Sequence, residues 1–192
     1  MRVSSMGIGK NELFENVFTL QNFLSEGECR KFIKEAESIG FDEAKVGFPE
    51  GDLMVKGIRN NDRVIYKDCK RANTIFQRAK PFLPSIIDGY EITRFNEMAR
   101  FYKYTSGQRF KMHKDGSYKA SEDEESKLTF LIYLNEDCEG GETKFKEHAN
   151  IKPKIGMALI FPHSLWHEGS AVISGYKYVL RFDVLYKRRE EA

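Results

Sequence analysis

Four histidines occur in this chain of 192 residues, at positions 113, 148, 163 and 167. His113 and Asp115 stand two residues apart at the end of a predicted strand, and because side chains alternate faces along a strand, both point the same way. Together they can offer an imidazole nitrogen and a carboxylate oxygen to one metal ion. His167, on a later predicted strand, could complete a set of three ligands that leaves three coordination positions open.

A second arrangement of the histidines has to be weighed, because His163 and His167 are four residues apart, as in the helical ligand pair of zinc proteases. Pro162 and Gly169 bracket this segment and disfavour a helix, and no glutamate follows His163 as the protease motif requires. We therefore expect His163 to be a loop residue near the site, and His148, in a polar turn, to be solvated. Two histidines with one carboxylate instead match the metal set of non-haem Fe(II) oxygenases.

Composition narrows the class of protein further. Lys and Arg number 31 and Asp and Glu 29, and the net charge of +2 is too small to indicate a nucleic-acid partner. The longest apolar stretches, such as Met157–Phe161, are far shorter than the ~20 residues that span a membrane, and Met1–Lys10 has no signal-peptide core. Cys29, Cys69 and Cys138 are odd in number and widely spaced, which argues against a disulfide framework. We expect a cytoplasmic protein that binds neither membranes nor nucleic acid; its oligomeric state stays open.

The N-terminal part of the chain is predicted to support a site that lies farther along. Residues 1–12 are expected to be flexible, and Leu13–Leu20 is predicted to be a strand. The capping-box pattern of Ser25 and Glu28 opens a predicted helix that runs to Ile39. A second predicted helix begins near residue 68, and prolines at 81 and 84 end it. Residues 13–89 are thus predicted to form a mainly helical support.

From Tyr90 onward the pattern changes to short strands punctuated by glycine, typical of an antiparallel sandwich or barrel. The predicted strands are Met98–Tyr104, Gln108–His113, Lys127–Asn135, Glu142–Glu147, Gly156–Phe161, Trp166–Ile173 and Tyr176–Tyr186. Residues 90–187 would form this β core, within a single domain that spans 1–192. The helices are predicted to pack on one of its sheets, because a sheet covered on one side only leaves the other side in water.

Several motifs of the β core stand in a family-like order and spacing. They are Tyr104-x8-His113-x-Asp115, Thr129-x3-Tyr133-Leu134-Asn135, Gly140-Gly141-Glu142-Thr143-x-Phe145 and His167-x-Gly169-x2-Val172-x2-Gly175-x-Lys177. In these motifs the sequence resembles the prolyl 4-hydroxylase-like Fe(II)/2-oxoglutarate-dependent dioxygenases. The resemblance implies a mainly β fold with N-terminal helices, a double-stranded β-helix or jelly-roll, with the iron near the mouth between its two sheets.

The resemblance also implies roles for individual residues. His113, Asp115 and His167 match the iron ligands. Lys177, ten residues after the distal histidine, matches the basic residue that holds the far carboxylate of 2-oxoglutarate. The glycine pair 140–141 has two compatible interpretations, a hairpin or bulge turn and a close backbone approach near the cofactor.

Further residues are expected to bind the co-substrate. Tyr104 and Tyr133 match tyrosines that line the same pocket, and Thr129 lies on the strand face of Tyr133. A buried dicarboxylate needs a cation and hydrogen-bond donors to offset its desolvation. Arg181 is a rival to Lys177 on the same strand face, but it lies roughly 13 Å along the strand at ~3.3 Å per residue, so both cannot hold the same carboxylate. We expect Lys177 to hold it, and Arg181 to act on stability or substrate position.

The resemblance implies Fe(II), 2-oxoglutarate and O2 as cofactors, with ascorbate as an auxiliary reductant. The implied reaction is hydroxylation of a C–H bond with release of succinate and CO2. A prolyl residue of a peptide or protein is the first expected substrate, a free amino acid or other small molecule the second, and a nucleic acid the least supported. A jelly-roll protein that holds a metal or ligand without turnover is the alternative from a different class, since fold does not fix function.

Two polar, glycine-rich segments, Val46–Arg63 and Asp115–Ser126, are predicted to border the mouth, to be mobile without substrate and to become ordered over it. The first is read as a long loop, and an ordinary solvated loop is the alternative. Its donors Arg59, Asn60, Asn61 and Arg63 are the candidate substrate-binding residues. The acidic run at 122–125 in the second segment is expected to be solvated, with a lid or a contact for a basic substrate as the alternative.

Overall fold

The computed structural model of the chain describes residues 7–44, 46–48, 51–53, 55, 57–148 and 150–189. These residues form two α-helices, α1 (Glu26–Ile39) and α2 (Cys69–Ala79), with a short 3-10 turn at Lys80–Phe82. The strands before the β core are β1 (Gly9–Phe14), β2 (Val17–Gln21), β3 (Asp42–Glu43), β4 (Val46–Phe48), β5 (Gly51–Leu53), β6 (Asp62–Lys67) and β7 (Ile86–Ile87). The remaining strands are β8 (Tyr90–Phe95), β9 (Met98–Tyr104), β10 (Phe110–His113), β11 (Glu124–Tyr133), β12 (Glu139–Gly140), β13 (Thr143–Phe145), β14 (Asn150–Ile151), β15 (Ala158–Pro162), β16 (His167–Gly169), β17 (Val172–Ser174) and β18 (Lys177–Arg188).

Two antiparallel sheets carry the architecture. The major sheet runs in the order β1-β2-β15-β11-β18-β9-β6-β3, and β8 joins it beside β18. The minor sheet runs in the order β10-β16-β13-β14. Aromatic and aliphatic side chains from both sheets pack together between them, including Tyr102 and Phe161 of the major sheet and Phe145 of the minor one. The predicted jelly-roll fold is therefore confirmed, and the space between the sheets is where a site can form.

The long strand β18 shows how the sequence pattern positions that site. Leu180 and Phe182 face the helices in the larger core, whereas Val179 faces the space between the sheets. Because strand side chains alternate faces, Lys177 and Arg181 share the inner face with Val179. Apolar residues thus hold one side of the strand against the helices while charged residues reach the interior.

The two helices cover the outer face of the major sheet, as predicted. Ser25 caps α1 in a capping box with Glu28, and Asp68 caps α2 by accepting a hydrogen bond from the N–H of residue 71. Phe76 of α2 contacts Phe95, with ring centroids 5.3 Å apart. Burying such a phenylalanine contributes about 2–3 kcal/mol, so this contact helps to fix the helix on the sheet. Neither described helix has the length and apolarity needed to cross a bilayer.

The N-terminal region departs from the sequence-based expectation in two ways. Leu13–Leu20 is not one strand, because a turn at residues 15–16 separates β1 from β2, and Asn16 adopts a left-handed φ of 59° that asparagine tolerates. Residues 9–12, expected to be flexible, belong to β1; residues 1–6 lie outside the described part of the chain. Residues 13–89 are also more than a helical support, since β2 pairs with β15 and β6 pairs with β9.

The segment Trp166–Ile173 is also divided. It forms β16 and β17, which belong to different sheets: β16 pairs with β10 and β13, and β17 pairs with β12. Residues 170–171 lie between them without strand pairing. Such pairings join segments that are distant along the chain, so local periodicity could indicate the strand character of this stretch but not its division.

Candidate active site

The three predicted metal ligands converge in the structure. His113 ends β10, His167 begins β16, and the two residues are directly opposed across this antiparallel pair. Asp115 lies two residues beyond β10. One ligand atom from each of the three lies within 4.8 Å of the others. Each histidine Nε2 is 3.7 Å from a carboxylate oxygen of Asp115, Oδ1 for His113 and Oδ2 for His167.

The hydrogen bonds of both histidines suit metal binding. Nδ1 of His113 lies 2.7 Å from the carbonyl oxygen of Lys111, and Nδ1 of His167 lies 3.0 Å from that of Leu165. A carbonyl only accepts, so each Nδ1 must carry the ring proton and each Nε2 keeps its lone pair. Burial also lowers the pKa of His167 to about 4, which keeps this imidazole neutral near pH 7. Two imidazoles that each turn Nε2 toward one carboxylate fit a divalent metal such as Fe(II).

Aromatic rings fix the orientation of these two histidines. Phe110 stacks on His113 with ring centroids 3.5 Å apart, and Phe161 meets His167 edge-on at 4.6 Å. Phe110 lies on β10 and Phe161 on β15, so the minor and major sheets each provide one support. Neither imidazole is therefore free to turn away from the site.

Asp115 is held by two side chains of the major sheet. Nη1 of Arg181 donates to Oδ1 at 2.7 Å, and the hydroxyl of Thr129 donates to Oδ2 at 2.5 Å. Burial alone would raise the pKa of Asp115, but the Arg181 guanidinium and the nearby histidines hold it well below its usual range. The carboxylate is thus ionised and ready to bind a cation.

These contacts change the expected roles of Thr129 and Arg181. Both line the cleft, as the sequence predicted, but in this structure both hold the metal-ligand carboxylate. Arg181 also pairs with Asp183, at 2.9 Å. The expectation that Arg181 acts mainly on stability or substrate position missed its contact with Asp115, because that contact crosses between the sheets.

His163 is near the site but is not placed as a ligand. Its Nδ1 lies 2.9 Å from the Thr129 hydroxyl, and its Nε2 lies 2.9 Å from the Ser126 hydroxyl. The Thr129 hydroxyl donates its hydrogen bond to Asp115, so toward His163 it can only accept, and the Nδ1–H of His163 is the donor. Both ring nitrogens of His163 are therefore engaged in hydrogen bonds. The predicted loop position of His163 is confirmed by its place after β15, although the residue is buried. His148 is exposed, as predicted, and stacks on Phe14.

Lys177 lies in the same cleft as the three ligands and is buried. It is directly opposed to Tyr104 across β18 and β9, and its Nζ lies 5.1 Å from the Tyr104 ring and 5.7 Å from that of Tyr133. The Tyr133 hydroxyl lies 2.7 Å from that of Thr143. Burial lowers the pKa of Lys177 to about 8. This buried ammonium has no ion pair within the described residues, so it is available to pair with a bound anion.

The glycine pair supports this end of the cleft. Gly140 and Gly141 both have positive φ, 74° and 72°. A Cβ on Gly140 would stand 2.5 Å from the Ala171 carbonyl oxygen, and one on Gly141 would stand 3.1 Å from Cδ of Lys177. The Lys177 ammonium donates to the Gly141 carbonyl at 2.5 Å. The register of β12 against β17 shifts between Glu139 and Gly140, in agreement with the expected bulge. The close approach is to Ala171 and Lys177, and an approach to the cofactor stays a prediction.

The candidate substrate-binding residues are placed differently from the prediction. Arg59 and Asn61 are buried, whereas the segment was predicted to be too polar for the core. Arg59 lies between the rings of Tyr102 and Phe110, at 4.6 and 4.5 Å, and this stacking explains how a guanidinium can be buried there. Its Nε donates to Asn61 Oδ1 at 2.7 Å, while its buried Nη2 has no hydrogen-bond partner among the residues that the structure describes.

Asn60 and Arg63 complete this segment. Asn60 Oδ1 accepts from the Arg109 N–H at 2.7 Å, and Arg63 lies in β6 opposite Tyr102. Val46–Arg63 is not one long loop, since it contains β4, β5 and the start of β6. Positions 45, 49, 50, 54 and 56 lie outside the described residues, and the expected mobility stays a prediction.

The acidic run at 122–125 is only partly a loop. Glu124 and Glu125 begin β11, where Glu124 pairs with Arg94 and Glu125 with Lys127. These neighbouring cations, supplied by strands, explain why the two acids are not simply solvated. Ser126, which ends the second segment, is buried and bonded to His163.

Sequence reasoning missed two charged residues of the site, Asp183 and Arg100. Nη1 of Arg100 lies 2.7 Å from Oδ2 of Asp183, whose other oxygen binds Arg181. The alternation of β18 could have indicated Asp183, because residues 181 and 183 share a strand face. The contact of Arg100 with Asp183 depends on the pairing of β9 with β18, which a local sequence pattern does not predict.

Comparisons with known proteins agree with this geometry. Residues 99–182 match the model of the 2OG-Fe(II) oxygenase superfamily, and this segment carries the three ligands and Lys177. A comparison with curated proteins finds no match.

Solved structures of similar fold include three prolyl hydroxylases. The viral collagen prolyl hydroxylase of Paramecium Bursaria Chlorella virus-1, in a 2OG complex, is 23% identical with a TM-score of 0.66 and covers 89% of this chain and 96% of its own. The Trichoplax adhaerens prolyl hydroxylase, in complex with a hypoxia inducible factor peptide fragment, is 17% identical with a TM-score of 0.68 over 88% and 83%. The Pseudomonas putida prolyl-4-hydroxylase is 16% identical with a TM-score of 0.63 over 91% and 94%. At these identities the likeness concerns the fold.

The matched segment carries the triad, and the fold is similar to that of prolyl hydroxylases. The partial match and the triad support the predicted resemblance, and with it the expected dioxygenase chemistry with Fe(II), 2-oxoglutarate and O2.

Replacing His113, Asp115 or His167 by Ala should abolish tight binding of one divalent ion, because two ligands hold a metal much less firmly than three. Co(II) titration followed by visible absorption measures this, with circular dichroism as the check on folding. His148→Ala, which removes an exposed imidazole away from the triad, is the control and should bind like the wild type. Unchanged Co(II) affinity in any of the three triad variants would contradict the assignment.

Proposed function

We propose that this enzyme hydroxylates a prolyl residue of a peptide or protein and releases succinate and CO2 from 2-oxoglutarate. The observation that carries the proposal is that the triad and the Lys177 ammonium, which has no ion pair among the described residues, line one cleft between the two sheets. 2-Oxoglutarate needs a metal ion to bind its keto-acid end and a cation to bind its far carboxylate.

Each residue of the cleft has a proposed role in this reaction. His113, Asp115 and His167 hold Fe(II), and Lys177 holds the far carboxylate of 2-oxoglutarate with Tyr104 beside it. Thr129 and Arg181 line the cleft and hold the Asp115 carboxylate. Tyr133 supports the lining residue Thr143 through their hydroxyl contact. When bound, iron and 2-oxoglutarate supply the oxidising chemistry that hydroxylates the C–H bond. The chain itself binds and orients the metal, the co-substrate and the substrate, and it excludes water from the cleft.

A peptide substrate is supported by fold similarity to enzymes that act on collagen or bind a peptide fragment of hypoxia inducible factor. We assign Arg59, Asn60, Asn61 and Arg63 to the substrate side of the cleft. Arg59 stacks on Phe110, which in turn stacks on His113, so only one ring separates this guanidinium from a triad residue. A free amino acid or another small acid is the second candidate. Nη2 of Arg59, which has no partner within the described part of the chain, favours it, since a guanidinium binds carboxylates well.

Succinate release tests the proposed function directly. The protein is incubated with Fe(II), 2-oxoglutarate and ascorbate, either with proline-containing peptides or with free amino acids, and the products are analysed by mass spectrometry. The proposal expects peptide-dependent succinate and a 16 Da gain on proline, both lost in His167→Ala. Succinate that depends only on free amino acids would support the second candidate. Metal binding without succinate formation under any condition would indicate a binding protein instead.

The affinity for 2-oxoglutarate should fall about tenfold between pH 7 and pH 9, since burial lowers the pKa of Lys177 to about 8 and the ammonium is lost above it. The neighbouring Cys138 and Glu142 favour the charged form but do not offset burial. Titration calorimetry of the metal-loaded protein measures the affinity. Lys177→Arg, which stays charged, is the matched control and should lack this dependence, while Lys177→Ala should bind about 30-fold more weakly at pH 7. An equal pH dependence in Lys177→Arg would exclude Lys177 as its source.

Arg59→Met should raise KM for the hydroxylated substrate about tenfold and leave KM for 2-oxoglutarate unchanged, because only contacts on the substrate side are lost. Steady-state kinetics with each substrate varied in turn measure both constants. Lys10→Met, which removes a cation from the ring of Phe18, away from the cleft, is the control. A change in KM for 2-oxoglutarate alone would move Arg59 to the co-substrate side.

A further inference from the structure

Asp115 differs from the other two ligands in how the backbone supports it. His113 and His167 lie on paired strands, so the ladder of β10 and β16 fixes their positions. Asp115 lies in the segment between β10 and β11, where no strand pairing holds it. Its backbone N–H donates a hydrogen bond to the His163 carbonyl oxygen, at 3.0 Å. The position of this carboxylate therefore depends on side-chain contacts.

Those contacts come from the opposite sheet. Arg181 on β18 binds one carboxylate oxygen and Thr129 on β11 binds the other, at 2.7 and 2.5 Å. Two donors on two oxygens fix both the place and the rotation of a carboxylate group. The side chains of Asp115 and Arg181 are only 4% and 13% exposed, so solvent screens this ion pair little.

Arg181 is itself held in place. Its Nη2 donates to Oδ1 of Asp183 at 2.9 Å, and Oδ2 of Asp183 accepts from Nη1 of Arg100 at 2.7 Å. In the strand register Arg181 stands opposite Arg100, and Asp183 stands opposite Thr129. The group thus spans the adjacent strands β9, β18 and β11, which gives it a rigid base.

We propose that Arg181 is a positioning residue for Asp115, which it holds in the ligand orientation across the cleft before the metal binds. A planar guanidinium can bridge two carboxylates with separate N–H groups, whereas a lysine ammonium in the same place is a point charge without that fork. The proposal rests on the proposed function only in that the triad binds the metal. The positive charge of Arg181 also repels an arriving metal ion. If positioning is the larger effect, removing Arg181 weakens metal binding; if repulsion is larger, removing it strengthens metal binding.

Co(II) binding to the metal-free protein tests the proposal without turnover. Arg181→Met should weaken Co(II) binding at least tenfold and change the visible absorption band of the bound ion, because removing a partner of a metal ligand typically costs 10–100-fold in affinity, roughly. Arg181→Lys should restore part of the affinity. Arg71→Met is the control, since it removes an arginine that pairs with Glu35 and Asp68 outside this group, and it should stay within about twofold of the wild type with an unchanged spectrum.

Thr129→Val gives an independent measurement, because it removes the second donor to Asp115 at almost constant volume and keeps both arginines. It should also weaken Co(II) binding, and it decides the question together with Arg181→Lys if Arg181→Met does not fold. Wild-type or tighter affinity with an unchanged spectrum in Arg181→Met would overturn the proposal. If His167→Ala abolishes Co(II) binding and Arg181→Met does not weaken it, only the positioning role fails. If His167→Ala also binds normally, the proposed metal site itself fails.

Discussion

The buried carboxylate of Asp115 is the constraint on which the rest of the site depends. Taking a carboxylate out of water costs several kcal/mol, roughly, unless partners offset the loss. Here Arg181 and Thr129 supply one donor to each oxygen, and the pKa of Asp115 stays well below its usual range although burial acts to raise it. The ligands come from the minor sheet and its following loop, and the partners from the major sheet. The fold must therefore bring both sheets together before the site exists.

Strand β18 connects this constraint to the overall architecture. Its outer face packs Leu180 and Phe182 in the core shared with the helices, and its inner face carries Lys177 and Arg181 about 13 Å apart along the strand. One strand thus provides a cation for the triad carboxylate and a second cation, Lys177, at the other end of the cleft. A slip of one residue in its register would exchange the two faces, so the apolar face specifies the register that the charged face needs.

The sequence predicted the parts of the site that lie within short motifs. His113 and Asp115 share a strand end, and the interval from His167 to Lys177 matches a known spacing, so both could be read from the chain. The contact of Arg181 with Asp115 could not, because these residues are 66 positions apart and meet only when the two sheets face each other. The same reason explains the strands that the N-terminal region adds to the major sheet. The turn at Asn16 is a single-residue backbone effect that the apolar pattern around it does not reveal.

Anomalous diffraction from crystals grown with Mn(II) and 2-oxoglutarate tests the central claim most directly. The account predicts one strong anomalous peak bounded by His113, Asp115 and His167, and density for a dicarboxylate between this ion and Lys177. A peak at His163 or His148, or a dicarboxylate whose far carboxylate avoids Lys177, would contradict it.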